Sequence, residues 1–194
     1  LRGAELFLDQ VSAIAPCYYC TGNHENIETL ITLPEVKARV RQAGITVLDN
    51  TRETITICGT RLTLCGVDDP RKYAYIDRDQ QEEVQLMNEL GSMQDCPEYT
   101  ILLAHRPERS PIYAQFGFDL IVSGHAHGGQ VRIPGLINGL FAPRQGWVPK
   151  RAGGLYREQN SDLVVSRGLC QRWYLPRIYN PVEIPIIELT PDSK

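Results

Sequence analysis

No stretch of the sequence approaches the roughly 18 consecutive apolar residues that a membrane-spanning helix needs, so a helical span within it is excluded. Positive charge is not in excess either. Twenty Lys and Arg stand against 23 Asp and Glu, and the net charge of −3 excludes a global basic field that would gather nucleic acid. Basic residues cluster only locally, at Lys150-Arg151 and between Arg167 and Arg177, which suits a small anion. There is no internal repeat and no low-complexity tract. Cysteine is present six times, at 17, 20, 58, 65, 96 and 170, but no second pair accompanies Cys17-x-x-Cys20 at zinc-ribbon spacing. The run Pro16-Cys17-Tyr18-Tyr19-Cys20 fits a buried strand better than a redox or zinc motif. Reduced thiols fit a cytoplasmic setting. The 194 residues suffice for one domain with a substantial core.

Periodicity divides the chain into alternating elements. A helix is expected over 2–14, a strand over 16–21, a helix begun by Pro34 and closed by Gly44, and a strand over 45–48. Residues 54–57 and 62–65 alternate with period two around Gly59-Thr60, which predicts a hairpin with one wet face. A helix follows over Asp79 to Leu90, then a strand over Tyr99–Ala104 whose apolar run predicts burial on both faces. Ser110 is expected to cap a short helix with Pro111 at its first position, and 120–122 is a buried strand. Further strands are expected at 130–133, 163–166 and 183–189, with a long Gly/Pro/Arg-rich loop over 134–153. This order predicts an α/β fold built as layers with two mixed sheets.

The four histidines are the most informative residues, because all of them fall in three short motifs. His24 lies in Gly22-Asn23-His24-Glu25, His105 in Leu103-Ala104-His105-Arg106-Pro107, and His125 and His127 in Ser123-Gly124-His125-Ala126-His127-Gly128-Gly129. Each motif follows an apolar run, and side chains placed beyond the carboxyl ends of neighbouring strands converge in α/β folds. His-x-His puts alternate side chains on one side of an extended segment. Imidazole is the commonest transition-metal ligand, so four of four at strand ends points to a metal site. Other polar residues carry weaker signals. Glu25 fits a supporting carboxylate. Arg106 fits either a substrate phosphate or an ion pair with Glu108. Asp68 and Asp69 fit turn formation before Pro70. Arg144, Lys150 and Arg151 fit solvated surface charge, and Trp173-Tyr174-Leu175-Pro176 fits core or edge packing more than lipid contact.

These motifs, together with Gly66-Val67-Asp68-Asp69-Pro70 and Ser166-Arg167-Gly168-Leu169, make the chain similar to the calcineurin-like metallophosphoesterases. Within that family it most resembles the small bacterial phosphodiesterase branch that often carries an N-terminal membrane anchor. The resemblance implies an α/β/β/α sandwich of two mixed sheets flanked by helices, with residues 1–194 as the metallophosphoesterase domain. It implies two divalent metal ions (Mn, Fe or Zn) bridged by an aspartate and a hydroxide. Asn23, His105 and His125 would hold the second metal and His127 the first. His24 would stand over the phosphate and protonate the leaving oxygen.

The sequence departs from the family in lacking Asp-x-His and Gly-Asp-x-x-Asp, which supply the bridging aspartate and the rest of the first metal's ligands. Those motifs would lie upstream of Leu1, so the N-terminal strands are expected to be missing and this piece alone to be inactive. The expected function is hydrolysis of phosphodiester or pyrophosphate bonds in a phosphorylated small molecule. The alternatives are a lipid-linked substrate of the UDP-diacylglucosamine type, with membrane association through the missing anchor, and a non-catalytic scaffold on the same fold. No nucleic-acid partner is expected.

Overall fold

The computed structural model describes residues 2–25, 31–69, 78–170 and 176–190. Its centre is a six-stranded mixed sheet in the order β3-β4-β5-β6-β10-β9, built from β3 (Thr51–Ile57), β4 (Thr60–Val67), β5 (Tyr99–Ala104), β6 (Leu120–Ser123), β9 (Gly154–Glu158) and β10 (Ser161–Val165). Strands β4, β5, β6 and β10 run parallel, and β3 and β9 close the edges antiparallel. A separate parallel pair, β1 (Tyr18–Tyr19) and β2 (Thr46–Val47), lies beside this sheet. It is held close because Gly66 has no side chain: a Cβ there would come within 2.3 Å of the Leu48 Cβ. The fold is thus mixed α/β, with helices packed on a mixed sheet.

The helices are α1 (Arg2–Ser12), α2 (Leu33–Gln42), α3 (Arg78–Gly91) and the single turn α4 (Ser110–Tyr113). Helix α2 starts at a capping box, in which the Glu35 carboxylate accepts from the Thr32 backbone N–H at 2.7 Å and hydroxyl at 2.9 Å. It ends at Gly44, whose φ of +80° only glycine adopts freely. Helix α3 buries a stripe at positions 82, 86 and 90, and the i, i+4 spacing places Leu86 and Leu90 in the core with Leu102, Ile121 and Leu163. Each such side chain contributes about 1.5–3 kcal/mol through burial.

Several sequence expectations change in detail. Strand β3 is exposed along nearly its whole length as an edge, while β4 becomes buried from Thr63 onward. Their turn is made by Cys58 and Gly59, both at positive φ, which matches the strands' twist. Strand β5 buries Thr100, Leu102 and Ala104 but leaves the alternate residues partly or fully exposed, so it is not covered on both faces. Ser110 does not cap α4. A 3₁₀ turn, Pro107–Arg109, runs directly into the helix and makes Arg109 the cap. Residues 130–133 contribute only two isolated bridges, Val131 to Ile178 and Ile133 to Ile137. Residues 183–189 form no strand and are mostly exposed, because no neighbouring strand pairs with them among the described residues. The loop over 134–153 contains a short hairpin, β7 (Phe141–Ala142) and β8 (Gly146–Trp147). Pro70 and residues 173–175 lie outside the described residues.

Candidate metal centre

The carboxyl ends of three parallel strands of the central sheet meet the end of β1 from the neighbouring pair. Strand β1 leads to Gly22-Asn23-His24, β4 to Asp68-Asp69, β5 to His105-Arg106, and β6 to Gly124-His125. Parallel neighbours present their carboxyl ends on the same side, which is why residues far apart in sequence converge. Gly22 permits the closest approach: a Cβ there would lie 2.9–3.0 Å from the His105 ring atoms.

Asn23, His105 and His125 come together as one cluster. The Asn23 Oδ1 lies 2.8 Å from His105 Nε2 and 3.0 Å from His125 Nδ1, and the two ring nitrogens are 3.1 Å apart. The rings meet edge to face with centroids 4.8 Å apart. A cation bonded at ~2.1 Å to adjacent octahedral ligands sets its donor atoms ~3 Å apart, so this spacing fits a shared metal ion. Burial, reinforced by nearby His105 and Arg106, pushes the His125 imidazolium down to about 3. Burial also lowers His105. Both rings are therefore neutral near pH 7, the form that binds metal. No group of three His, Cys, Asp or Glu suited to a metal occurs among the described residues; the third donor here is an amide.

His24 and His127 line the same pocket, an open cleft of about 120 Å³ shared with Asn23, Arg106, His125, Pro143 and Arg144. The His-x-His segment is held in strained backbone. His125 and His127 sit at φ of 63° and 50°, a region uncommon for residues with a Cβ. Such strain persists only where the surroundings impose it. Asn180 braces the His127 end of the segment: buried, it donates from Nδ2 to the carbonyls of His127 at 2.7 Å and Gln130 at 3.2 Å. Gly128 leaves room for that amide, since a Cβ would fall 2.1 Å from the Asn180 Oδ1.

Arg106 makes an ion pair that the sequence did not suggest, with Asp69. It is buried, and its Nε and Nη2 donate to the two oxygens of Asp69 at 2.6 and 2.7 Å. It forms part of the pocket wall with two of its nitrogens already committed. Asp68 and Asp69 are likewise buried ion-pair partners, and the turn expected with Pro70 falls outside the described residues. Asp68 accepts from the Thr21 hydroxyl at 2.7 Å and from Lys37. Glu25 accepts from the Gly22 N–H at 2.9 Å and so braces the loop carrying Asn23. Arg144, at the tip of the β7–β8 hairpin, reaches Glu82 at 3.5 Å, and Arg109 reaches the same carboxylate at 3.4 Å. Arg151 pairs with Glu158, and Lys150 is exposed. Cys17 and Cys20 are free thiols, and burial pushes Cys20 up to about 12, which suits neither redox nor zinc chemistry at neutral pH.

Glu82 and Asn180 carry no role in the sequence reading, while Asp69 and Glu108 carry other ones there. Glu82 left a usable signal, because it occupies the buried stripe of α3 one turn before Leu86. Asn180 left none: its partners lie about fifty residues away.

Comparison with known proteins points the same way. Residues 2–129 match the family model described as calcineurin-like phosphoesterase. The chain is 34 % identical over 196 residues to the Caenorhabditis elegans protein F40B5.2, named a metallophosphoesterase, covering 97 % of this chain and 38 % of that protein. It is 26 % identical over 192 residues to an uncharacterized metallophosphoesterase of Helicobacter pylori, covering 96 % of this chain and 46 % of the relative. It is 27 % identical over 182 residues to the Escherichia coli phosphodiesterase YaeI, covering 94 % and 61 % respectively. The chain thus spans between 38 % and 61 % of the length of these relatives.

Proposed function

The chain belongs to the calcineurin-like phosphoesterase family, and from that premise we propose that it serves the metal-dependent hydrolysis of phosphodiester or pyrophosphate bonds. The observation that carries this reading is the convergence of the Asn23 amide oxygen with the ring nitrogens of His105 and His125, all within 3.1 Å of one another. Those three would hold one divalent cation, and His127 would help hold a second. Mn, Fe and Zn all suit such mixed nitrogen and oxygen donors. When bound, the cations activate water as nucleophile and offset charge on the phosphoryl oxygens. His24 lines the pocket beside Asn23 and gives a proton to the leaving oxygen. Arg144 faces the same pocket from the hairpin tip, where a guanidinium suits a phosphate. The depressed His105 and His125 keep their lone pairs for the cation.

His125→Ala in the whole protein is expected to abolish turnover of bis(p-nitrophenyl) phosphate with added Mn²⁺. Elemental analysis of the wild type should find about two divalent ions per chain. Unchanged turnover in the variant ends the assignment.

One observation favours a lipid-linked substrate as the second reading. The hairpin whose tip lines the pocket also carries Trp147, 73 % exposed, and Phe141, 45 % exposed, stacked edge to face. An apolar arm beside an anion pocket suits a phosphorylated amphiphile of the UDP-diacylglucosamine type. Preference for a lipidated pyrophosphate over a soluble one, lost in Trp147→Ser, distinguishes the two.

A further inference from the structure

We propose that Glu108 is a positioning residue for His125, its carboxylate accepting the Nε2–H so that the Nδ1 lone pair faces Asn23 and His105. The inference rests on the metal-centre reading above.

A neutral imidazole carries one proton. His125 turns Nδ1 toward the Asn23 and His105 donors. If Nδ1 is to bind a cation, the proton must sit on Nε2. That nitrogen is buried and has no hydrogen-bond partner among the described residues. Both oxygens of Glu108 are in the same condition. Buried polar atoms are nearly always paired, so an unpaired donor beside an unpaired acceptor calls for an explanation. The two are 3.9 Å apart, about 1 Å beyond a hydrogen bond.

The turn that carries Glu108 is held at both ends. Glu108 lies on the 3₁₀ turn Pro107–Arg109. Arg106, just before the turn, is clamped by Asp69. Arg109, at its end, is held by Glu82 and lies near Glu83. His125 has its backbone set at φ 63°. The carboxylate therefore faces one ring nitrogen from a rigid support. Arg106 Nη1, also without a partner among the described residues, belongs to the same electrostatic neighbourhood. Arg106, paired with Asp69, thus acts on the Glu108 carboxylate through space, and that carboxylate faces the His125 ring. Carboxylates in this position fix the tautomer of a ligating histidine and raise its basicity, and their loss weakens metal binding.

The test uses the full chain with Mn²⁺ or Zn²⁺ as probe, Glu108→Leu and Glu108→Gln as variants, and thermal melting to confirm folding. Glu108→Leu should weaken metal binding by about 10- to 100-fold in calorimetric titration. Glu108→Gln, which keeps an acceptor, should recover most of that loss, a rescue that a packing role alone would not give. Nitrogen NMR of the metal-free wild type should show His125 protonated on Nε2, with the tautomers mixed in Glu108→Leu. Should Glu108→Leu not fold, the wild-type tautomer and Glu108→Gln decide. Protonation on Nδ1 in the wild type overturns the inference. So does metal binding by Glu108→Leu as tight as wild type. A wild type that binds no metal overturns the metal-centre reading and this inference together, whereas a wild type that binds while Glu108→Leu is unchanged overturns this inference alone.

Discussion

Asp68 and Asp69 are neighbours at the end of one strand, yet they build two different kinds of buried charge cluster. Adjacent residues of an extended segment point to opposite sides, so Asp68 faces α2 and Asp69 faces the turn after β5. On the Asp68 side the polar groups close on themselves. Lys37 bridges Asp68 and Asp49, the Thr21 hydroxyl donates to Asp68, and the Asp68 N–H donates to the Asn50 side chain at 2.8 Å. Burial alone would lower the Lys37 ammonium, but its hydrogen bonds to Asp49 and Asp68 more than offset this and raise it. On the Asp69 side two guanidinium nitrogens are matched and the third is left over, as are the Glu108 carboxylate and His125 Nε2. One cluster serves the fold. The other carries unmatched polarity toward the pocket, where consistency between local and global preferences is expected to fail in a functional protein.

The largest effect should come from breaking the open cluster at its anchor. Asp69→Ala strands a buried guanidinium, and removing one partner of a buried pair costs about 3–5 kcal/mol. Lys37→Ala should cost less, about 2 kcal/mol, because Asp68 keeps the Thr21 hydroxyl and Asp49 already reaches solvent. Urea unfolding of both variants measures the difference. Equal losses would erase the contrast between the two clusters.

Much of this was legible beforehand, and the reasons differ by element. The helices over 2–12, 33–42 and 78–91 announced themselves through stripe spacing and their Pro or Gly boundaries. The convergence of Asn23, His105 and His125 followed from polar motifs ending apolar runs. Strand β9 was missed because it is an edge with alternating exposure and a Gly start, and its pairing with β10 is set by a partner rather than by its own pattern. The role of Asp69 as an ion-pair partner leaves no mark in Asp-Asp-Pro, because Arg106 is distant in sequence. An ion pair between positions 37 residues apart exists only once β4 and β5 lie side by side.

A middle-sized effect probes the open side without touching any charge. Gly22→Ala sets a methyl 2.9–3.0 Å from the His105 ring. Overpacking of this kind costs about 1–3 kcal/mol, but the ring can yield by tilting away from Asn23. Stability should therefore fall modestly while Mn²⁺ affinity falls more. The same substitution at Gly3, which has open space around it, should leave Mn²⁺ affinity unchanged. Calorimetric titration alongside thermal melting separates the two responses. A loss confined to stability would show that His105 need not hold its place for metal to bind.

The smallest effect lies on the closed side and depends on pH. Helix α2, which delivers Lys37, begins at the fully exposed Thr32–Glu35 box. The Thr32 backbone N–H, then its hydroxyl, hold the Glu35 carboxyl below the usual range. A carboxylate lowered in the folded state adds stability that is complete above its unfolded value near 4.5. That stability disappears as pH falls through the lower folded value. Wild type should accordingly melt above Glu35→Gln at pH 6, and the gap should close progressively in acid below that range. The difference will be slight, because solvent screens the pair. Were the gap constant down to pH 3, the box would not act through its charge, and the closed cluster would owe its placement to the packing of Val40 rather than to the start of α2.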